Sequence, residues 1–216
     1  GLVSGSWFYK SVSDVIETVQ QRQDFGFTTA TNYPEGTLNG VEIECRLDLG
    51  KLKEAFTGLD VGINFTGISS EVTLPEREAD QFEDPDINAP MPTRPMTGAP
   101  EYLANLFVNY KNEKRGSRFS VFYSRQGETL TAGAFANQSQ NQLIPNVVAL
   151  PYGTLNFTFS QRLGEYLTLG LSARNLLNPL IKEVYRSEYI EQQNIIANAY
   201  SKGIDFSISL STNIEF

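Results

Sequence analysis

The sequence predicts an all-β chain: an antiparallel, up-and-down sheet of about eight strands forming a segment of a transmembrane β-barrel, with long outer loops and short inner turns. Three observations predict it. Apolar and polar residues alternate in eight separate stretches. The connections between those stretches alternate long and short, as in outer-membrane barrels. No run of eighteen apolar residues exists, so no transmembrane helix is predicted.

The first strand, residues 2–10, sets Val3, Gly5, Trp7 and Tyr9 on one face. A polar stretch rich in Gln, Thr and Asn follows over 11–36 and reads as a connection. The second strand, around 37–50, places Val41, Ile43, Cys45, Leu47 and Leu49 opposite Glu42, Glu44, Arg46 and Asp48. After a short link the third sets Leu59, Val61, Ile63 and Phe65 against Asp60, Gly62, Asn64 and Thr66. Residues 74–98 are acidic, Pro-rich and aperiodic, which predicts a loop.

Strand four, near 101–111, alternates Tyr102, Ala104, Leu106, Val108 and Tyr110 with Leu103, Asn105, Phe107, Asn109 and Lys111. The tight turn Asn112 to Gly116 leads into strand five, where Phe119, Val121 and Tyr123 share a face. An irregular loop is expected over 127–151. Strand six (Leu155, Phe157, Phe159) and strand seven (Leu167, Leu169, Leu171, Ala173) are joined through Leu163-Gly164-Glu165. A third long loop, about 178–202, precedes the last strand, in which Ile204, Phe206, Ile208, Leu210, Thr212, Ile214 and Phe216 alternate with polar residues.

Within these stretches the apolar faces carry no charged residue, as a lipid-facing surface requires; Arg or Lys at the bilayer midplane costs roughly 2–4 kcal/mol. The opposite faces are mostly Ser, Thr, Asn and Gly rather than the Lys and Glu of a soluble sheet. The loop asymmetry orients the chain, with both ends on the inner, periplasmic side. Trp7, Tyr9, Tyr102 and Tyr123 then fall towards the outer interface, and Tyr110, Phe119 and Phe216 towards the inner one, as two aromatic girdles.

Composition excludes several functions. A net charge of −8 argues against nucleic acid. Histidine is absent and Cys45 is the single cysteine, which removes His-dependent catalysis, Cys-based zinc sites and internal disulfides. No nucleophile motif is present, and no enzyme activity or cofactor is expected. The chain opens Gly1-Leu2-Val3 without a basic leader, which reads as a mature segment or a fragment.

Candidate functional residues lie on the polar faces and in the loops. Glu42, Glu44, Arg46 and Asp48 either line a lumen or pair across the wall. Arg118, Arg162 and Arg174 share that face and either steer an anionic ligand or pair with carboxylates such as Asp205. Tyr185, Tyr189 and Tyr200 are loop residues suited to contact with sugar, peptide or siderophore. The acidic run Glu76, Glu78, Asp80, Glu83, Asp84 and Asp86 lacks the spacing of a calcium loop and reads as solvated.

Four motifs in order resemble one family. Phe8-Tyr9-Lys10 with Asp14-Val15-Ile16, the segment Gly36 to Glu44, Ala173-Arg174-Asn175-Leu176-Leu177-Asn178, and the terminal Ile214-Glu215-Phe216 together resemble the C-terminal part of the barrel of TonB-dependent outer-membrane receptors. That resemblance implies a bacterial outer-membrane location and a role in active uptake of a siderophore, vitamin, glycan or peptide. It implies as partners membrane lipid, the TonB complex acting through a plug that these residues do not include, and a surface lipoprotein. It makes Phe216 the signal read by the barrel-assembly machinery. Such barrels have about 22 strands, so residues 1–216 would be their last third. Two other readings stand beside it: a complete eight-stranded barrel with a structural or adhesive role, and a soluble lipocalin-like binder with its apolar faces turned inward.

Overall fold

The computed structural model describes residues 1–22, 26–189, 191–192 and 194–212, with Arg22 described by its backbone alone. Eight strands form the wall: β1 (Leu2–Arg22), β2 (Gly26–Asp48), β3 (Leu59–Thr73), β4 (Tyr102–Asn112), β5 (Ser117–Gln126), β6 (Tyr152–Leu163), β7 (Leu167–Arg174) and β8 (Asp205–Thr212). Each pairs antiparallel with the next, in chain order, so β1 and β8 are the two edges of an open sheet. This is the expected up-and-down wall. Its short turns use the residues such turns need: Gly116 and Gly164 sit at φ 66° and 77°, a region costly for any side chain.

The register lines up the two faces. One outward row runs Val3, Cys45, Ile63, Leu106, Tyr123 and Leu155. Further along, Tyr110 faces Phe119, whose ring meets Phe157 edge-on at 5.2 Å. Trp7 and Tyr102 share a single row through Val41 and Gly67. Trp7 is 69% exposed and Ile208 78%, on a face that is apolar from strand to strand. An apolar patch of that extent marks a membrane surface.

Arg125 lies two residues past Tyr123, on the same outward face. It sits between Tyr102 and Tyr123, its Nε donating to Tyr102 Oη at 3.2 Å. A cation held by two tyrosines at the outer rim fits the headgroup level, where amphipathic aromatics and snorkelling Arg side chains collect.

Four expected connections are ordered structure instead. The stretch 11–36 is paired β-ribbon: β1 and β2 continue from Leu2 opposite Arg46 to Arg22 opposite Gly26. A barrel strand needs about 9–11 residues to cross, so strands of 21 and 23 residues extend roughly 35–45 Å beyond the bilayer, measured along the strand at about 3.3 Å per residue. Out there no lipid imposes an apolar stripe, and the ribbon reads as polar. Asp14, at φ 55°, interrupts the alternation. Before it, odd-numbered Trp7 and Tyr9 face outward; after it, odd-numbered Val15, Glu17 and Val19 are buried.

The stretch 74–98 contains a two-turn helix, α1 (Glu76–Glu83), and a short strand Thr93–Arg94 that pairs with β3. Pro75 precedes the helix, and Glu76 and Glu78 lie in its first turn, where a carboxylate suits the helix dipole. Its single buried anchor, Phe82, gave no periodicity to read. The loops 127–151 and 178–202 share a four-stranded sheet, ordered Ile195–Tyr200, Ile181–Arg186, Asn146–Ala149, Thr129–Ala132. Backbone bonds between Thr18, Gln20 and Gly133 tie it to β1.

These outer segments have their own core: Val15, Val19, Tyr33, Val72, Leu74, Phe82, Ala134 and Ala136. The core lies over the polar face of the wall. A Cβ on Gly36, which shares that face with Glu42, would lie 2.8 Å from Val15, 3.1 Å from Val72 and 3.2 Å from Met96. The lobe therefore caps the polar side at the outer end, and the apolar side stays clear.

Candidate functional site

On the polar face, register places Arg46 beside Gly62, then Phe107, Phe122 and Asn156. The Arg46 guanidinium lies 5.6 Å from the Phe107 ring centre and is ion-paired with Glu44. Glu42 accepts from Asn64 Nδ2 at 2.9 Å, and Asp48 accepts from the Gly50 amide at 3.0 Å. Glu42, Glu44 and Arg46 thus each have a partner within the wall, and Asp48 has one in the turn that follows β2. Arg174 and Asp205 are directly opposite in β7 and β8.

Near the inner turns, Arg118 and Arg162 line a cavity of about 490 Å³ with Lys111, Glu113 and Ser160. Lys111 Nζ bonds Glu113 at 2.6 Å and holds that carboxyl below its usual range. Phe216, expected to be the assembly signal, lies outside the described residues.

The most enclosed polar chemistry is in the outer lobe. Arg94 and Glu17 form an ion pair at 2.8 Å, both side chains almost wholly buried. The Thr97 amide donates to the same carboxylate at 3.0 Å. The Arg94 guanidinium lies 4.8 Å from the Tyr33 ring centre, and Tyr33 donates its hydroxyl to Glu78. Burial raises both the Tyr33 phenol and the Glu78 carboxyl above their usual values; Arg94 opposes both shifts without cancelling them. Gly133 packs against this knot: a Cβ there would lie 2.6 Å from Arg94 Cζ.

Of these four residues the sequence reading singled out Glu78 alone, and only as part of the acidic run. Glu17 and Arg94 are 77 positions apart and Tyr33 and Glu78 are 45, so no local pattern joins them. The rest of the acidic run does not converge: Asp84 caps the Asp86 amide at 2.9 Å, and among the described residues no three His, Cys, Asp or Glu side chains form a metal-ligand set.

Beside a cavity of about 350 Å³ lined by Leu143, Tyr185 and Ile195, the lobe holds two others with loop tyrosines in their walls. The larger, about 730 Å³, lies between the tip of the β1–β2 ribbon (Gln21, Phe27, Thr28) and the loop sheet (Thr131, Glu183, Tyr185, Asn198). The smaller, about 360 Å³, is lined by Tyr189, Glu101, Glu128 and Arg186. Arg186 is ion-paired with Glu128 and donates to Asn194 Oδ1 at 2.9 Å, and Tyr189 Oη donates to Pro90 O at 3.1 Å. The three loop tyrosines therefore separate: Tyr185 and Tyr189 each line a cavity, while Tyr200 sits exposed on the outermost loop strand opposite Ile181 and lines neither.

Residues 1–176 match the family model described as TonB dependent receptor-like, beta-barrel. No curated protein matches the sequence significantly. Among solved structures, a point mutant of the ferric enterobactin receptor PfeA from Pseudomonas aeruginosa, in complex with enterobactin, is similar over 97% of this chain and 29% of its own, with TM-score 0.58 and 16% identity. The copper transporter OprC is similar over 98% of this chain and 29% of its own, with TM-score 0.59 and 10% identity. The FrpB iron transporter from Neisseria meningitidis is similar over 96% and 28%, with TM-score 0.56 and 13% identity. The chain thus spans less than a third of the length of the receptors it resembles. With wall order, faces and family model in agreement, this chain belongs to the TonB-dependent receptor-like β-barrel family.

Proposed function

We propose that these residues form the C-terminal wall and part of the outer ligand vestibule of an active importer in the bacterial outer membrane. The observation that carries this is the lobe: loops 74–98, 127–151 and 178–202 fold over the polar face of the wall and not over its apolar face. An arrangement of that kind supports capture of a ligand at the outer mouth of a lumen. The apolar rows then contact lipid, and Glu42, Glu44, Arg46, Asp48, Arg118, Arg174 and Asp205 face the lumen and the plug that fills it.

Release inward would draw on the TonB complex of the inner membrane through that plug, and insertion on the barrel-assembly machinery. A surface lipoprotein is a further partner of this reading. The open edges of β1 and β8 favour it over a complete eight-stranded barrel: in the described residues β2 is the one wall strand that pairs with β1, and β7 the one that pairs with β8. Unpaired edges of such length call for neighbouring strands.

The test is uptake in the organism that carries the gene. Deleting either the gene or TonB should abolish accumulation of the same nutrient, with the protein recovered from the outer-membrane fraction by detergent. Recovery in the soluble fraction, or uptake indifferent to TonB, would refute the proposal.

A further inference from the structure

The importer reading leaves the ligand open, and the larger lobe cavity narrows it. We infer that the cavity between the β1–β2 ribbon tip and the loop sheet takes a neutral, hydroxyl-rich ligand of oligosaccharide class. This rests on the importer reading and names the substrate class of its vestibule.

The size fits: about 730 Å³ lies within the range of roughly 300–1,000 Å³ for small-molecule sites. The chemistry of the lining narrows the class. Its hydrogen-bonding groups are amides and hydroxyls, from Gln21, Thr28, Thr131 and Asn198. Such groups both donate and accept, which is what a sugar hydroxyl needs from its partner; the Thr131 hydroxyl, which donates to Val147 O at 3.0 Å, serves as an acceptor. The cavity's one carboxylate among the described side chains, Glu183, accepts from Asn198 Nδ2 at 3.4 Å, so the two side chains meet as a paired acceptor and donor. The Tyr185 ring adds an amphipathic surface suited to the C–H face of a pyranose.

An anionic ligand is poorly matched. No Lys or Arg lines the cavity among the described side chains, and Glu183 would repel it. Alternation in the Ile181–Arg186 strand is the cause: Glu183 and Tyr185 point into this cavity, while Lys182 and Arg186 take the other face. The lobe's other well-placed cations are already neutralised, Arg94 by Glu17 and Arg186 by Glu128. Among the described side chains of this cavity, a ferric catecholate, which carries several negative charges, would meet one carboxylate and no cation.

The experiment uses the full-length protein that carries this chain, purified in detergent. It is applied to an array of neutral and anionic glycans, and titrated separately with a ferric catecholate. Binding of a neutral oligosaccharide is expected, weakened about tenfold or more by Tyr185→Ala and by Asn198→Ala, and unchanged by Lys182→Ala on the opposite face. Three results would each overturn the inference: no neutral glycan bound, tighter binding of the ferric catecholate, or glycan binding indifferent to both cavity substitutions. In each case TonB-dependent uptake of another ligand would leave the importer reading standing, so the two fail separately.

Discussion

Replacing Arg94 with methionine tests whether the buried ion pair holds the outer lobe to the ribbon. The change keeps most of the side-chain volume and removes the charge. It leaves the Glu17 carboxylate sealed from water with the Thr97 amide at 3.0 Å as its remaining partner among the bonds described. Removing one member of a buried pair costs about 3–5 kcal/mol, because the other charge stays uncompensated. The retained amide bond puts this case near the lower end. Loss of the Arg94–Tyr33 contact at 4.8 Å pulls the other way, by about 0.5–2 kcal/mol. At about 1.4 kcal/mol per decade, local opening should become about two to three and a half decades more frequent. Hydrogen exchange of peptides within 74–98, in the detergent-solubilised full-length protein, reads that opening directly. Peptides from β4 and β5 serve as the internal control and should not change. The double variant Glu17→Gln with Arg94→Met removes both charges and should recover most of the protection. If the single variant leaves exchange over 74–98 unaltered, the pair does not secure the lobe and the reasoning is wrong.

Three further outcomes follow from the same geometry. Ile208→Arg places a charge on the outward face of β8 and should lower membrane-inserted stability by about 2–4 kcal/mol, whereas Ser209→Arg on the polar face should be nearly neutral; refolding into lipid vesicles separates them, and the reverse order would invert the wall. Phe82→Ala empties the centre of the lobe core at a cost of about 3–5 kcal/mol, read as faster tryptic cleavage after Arg77, the second residue of α1. Glu78 gives a pH dependence whose sign is fixed by burial. Its carboxyl is raised above 4.5, so the docked lobe holds the proton more tightly than the open one. Docking is therefore strongest below about 4.5 and weakens as pH rises through the raised value. Protection of residues 76–83 should fall over that window, and Glu78→Gln should flatten the fall.

The wall was legible from the sequence because the bilayer imposes a rule on every strand at once. Ile208 and Ser209 differ in solvent, so alternation is written into the chain wherever it crosses. Beyond the bilayer that rule lapses. The ribbon over 11–36 is as regular as the wall, yet Gln20, Thr28 and Thr29 carry no stripe because water lies on one side and folded loops on the other. Tyr33 is fully buried and Glu17 nearly so, and both sit in a stretch that composition marks as polar. Their burial is set by partners 45 and 77 positions away, which no window of neighbouring residues contains. Tyr185 reads in the sequence as a loop aromatic, but its place in a cavity depends on a strand pairing between two loops that are each aperiodic in sequence. Arg125 falls just beyond the stretch read as strand five, where the face changes from lipid to headgroup.

Two parts of one sheet thus live under different physics, and Asp14 stands between them. Inward of it, the ribbon is held by lipid on one face and by neighbouring strands along its length. Outward of it, the chain depends on a core of eight residues and one sealed ion pair. Proteins open locally in cooperative units, and the lobe rests on a core of its own while lipid and continuous strand pairing hold the wall, so the lobe should open without disturbing the wall. A vestibule that must admit a ligand, and a barrel that must not leak, need that separation. Here it arises from one left-handed residue that turns Val15, Glu17 and Val19 away from the lipid side and towards the loops.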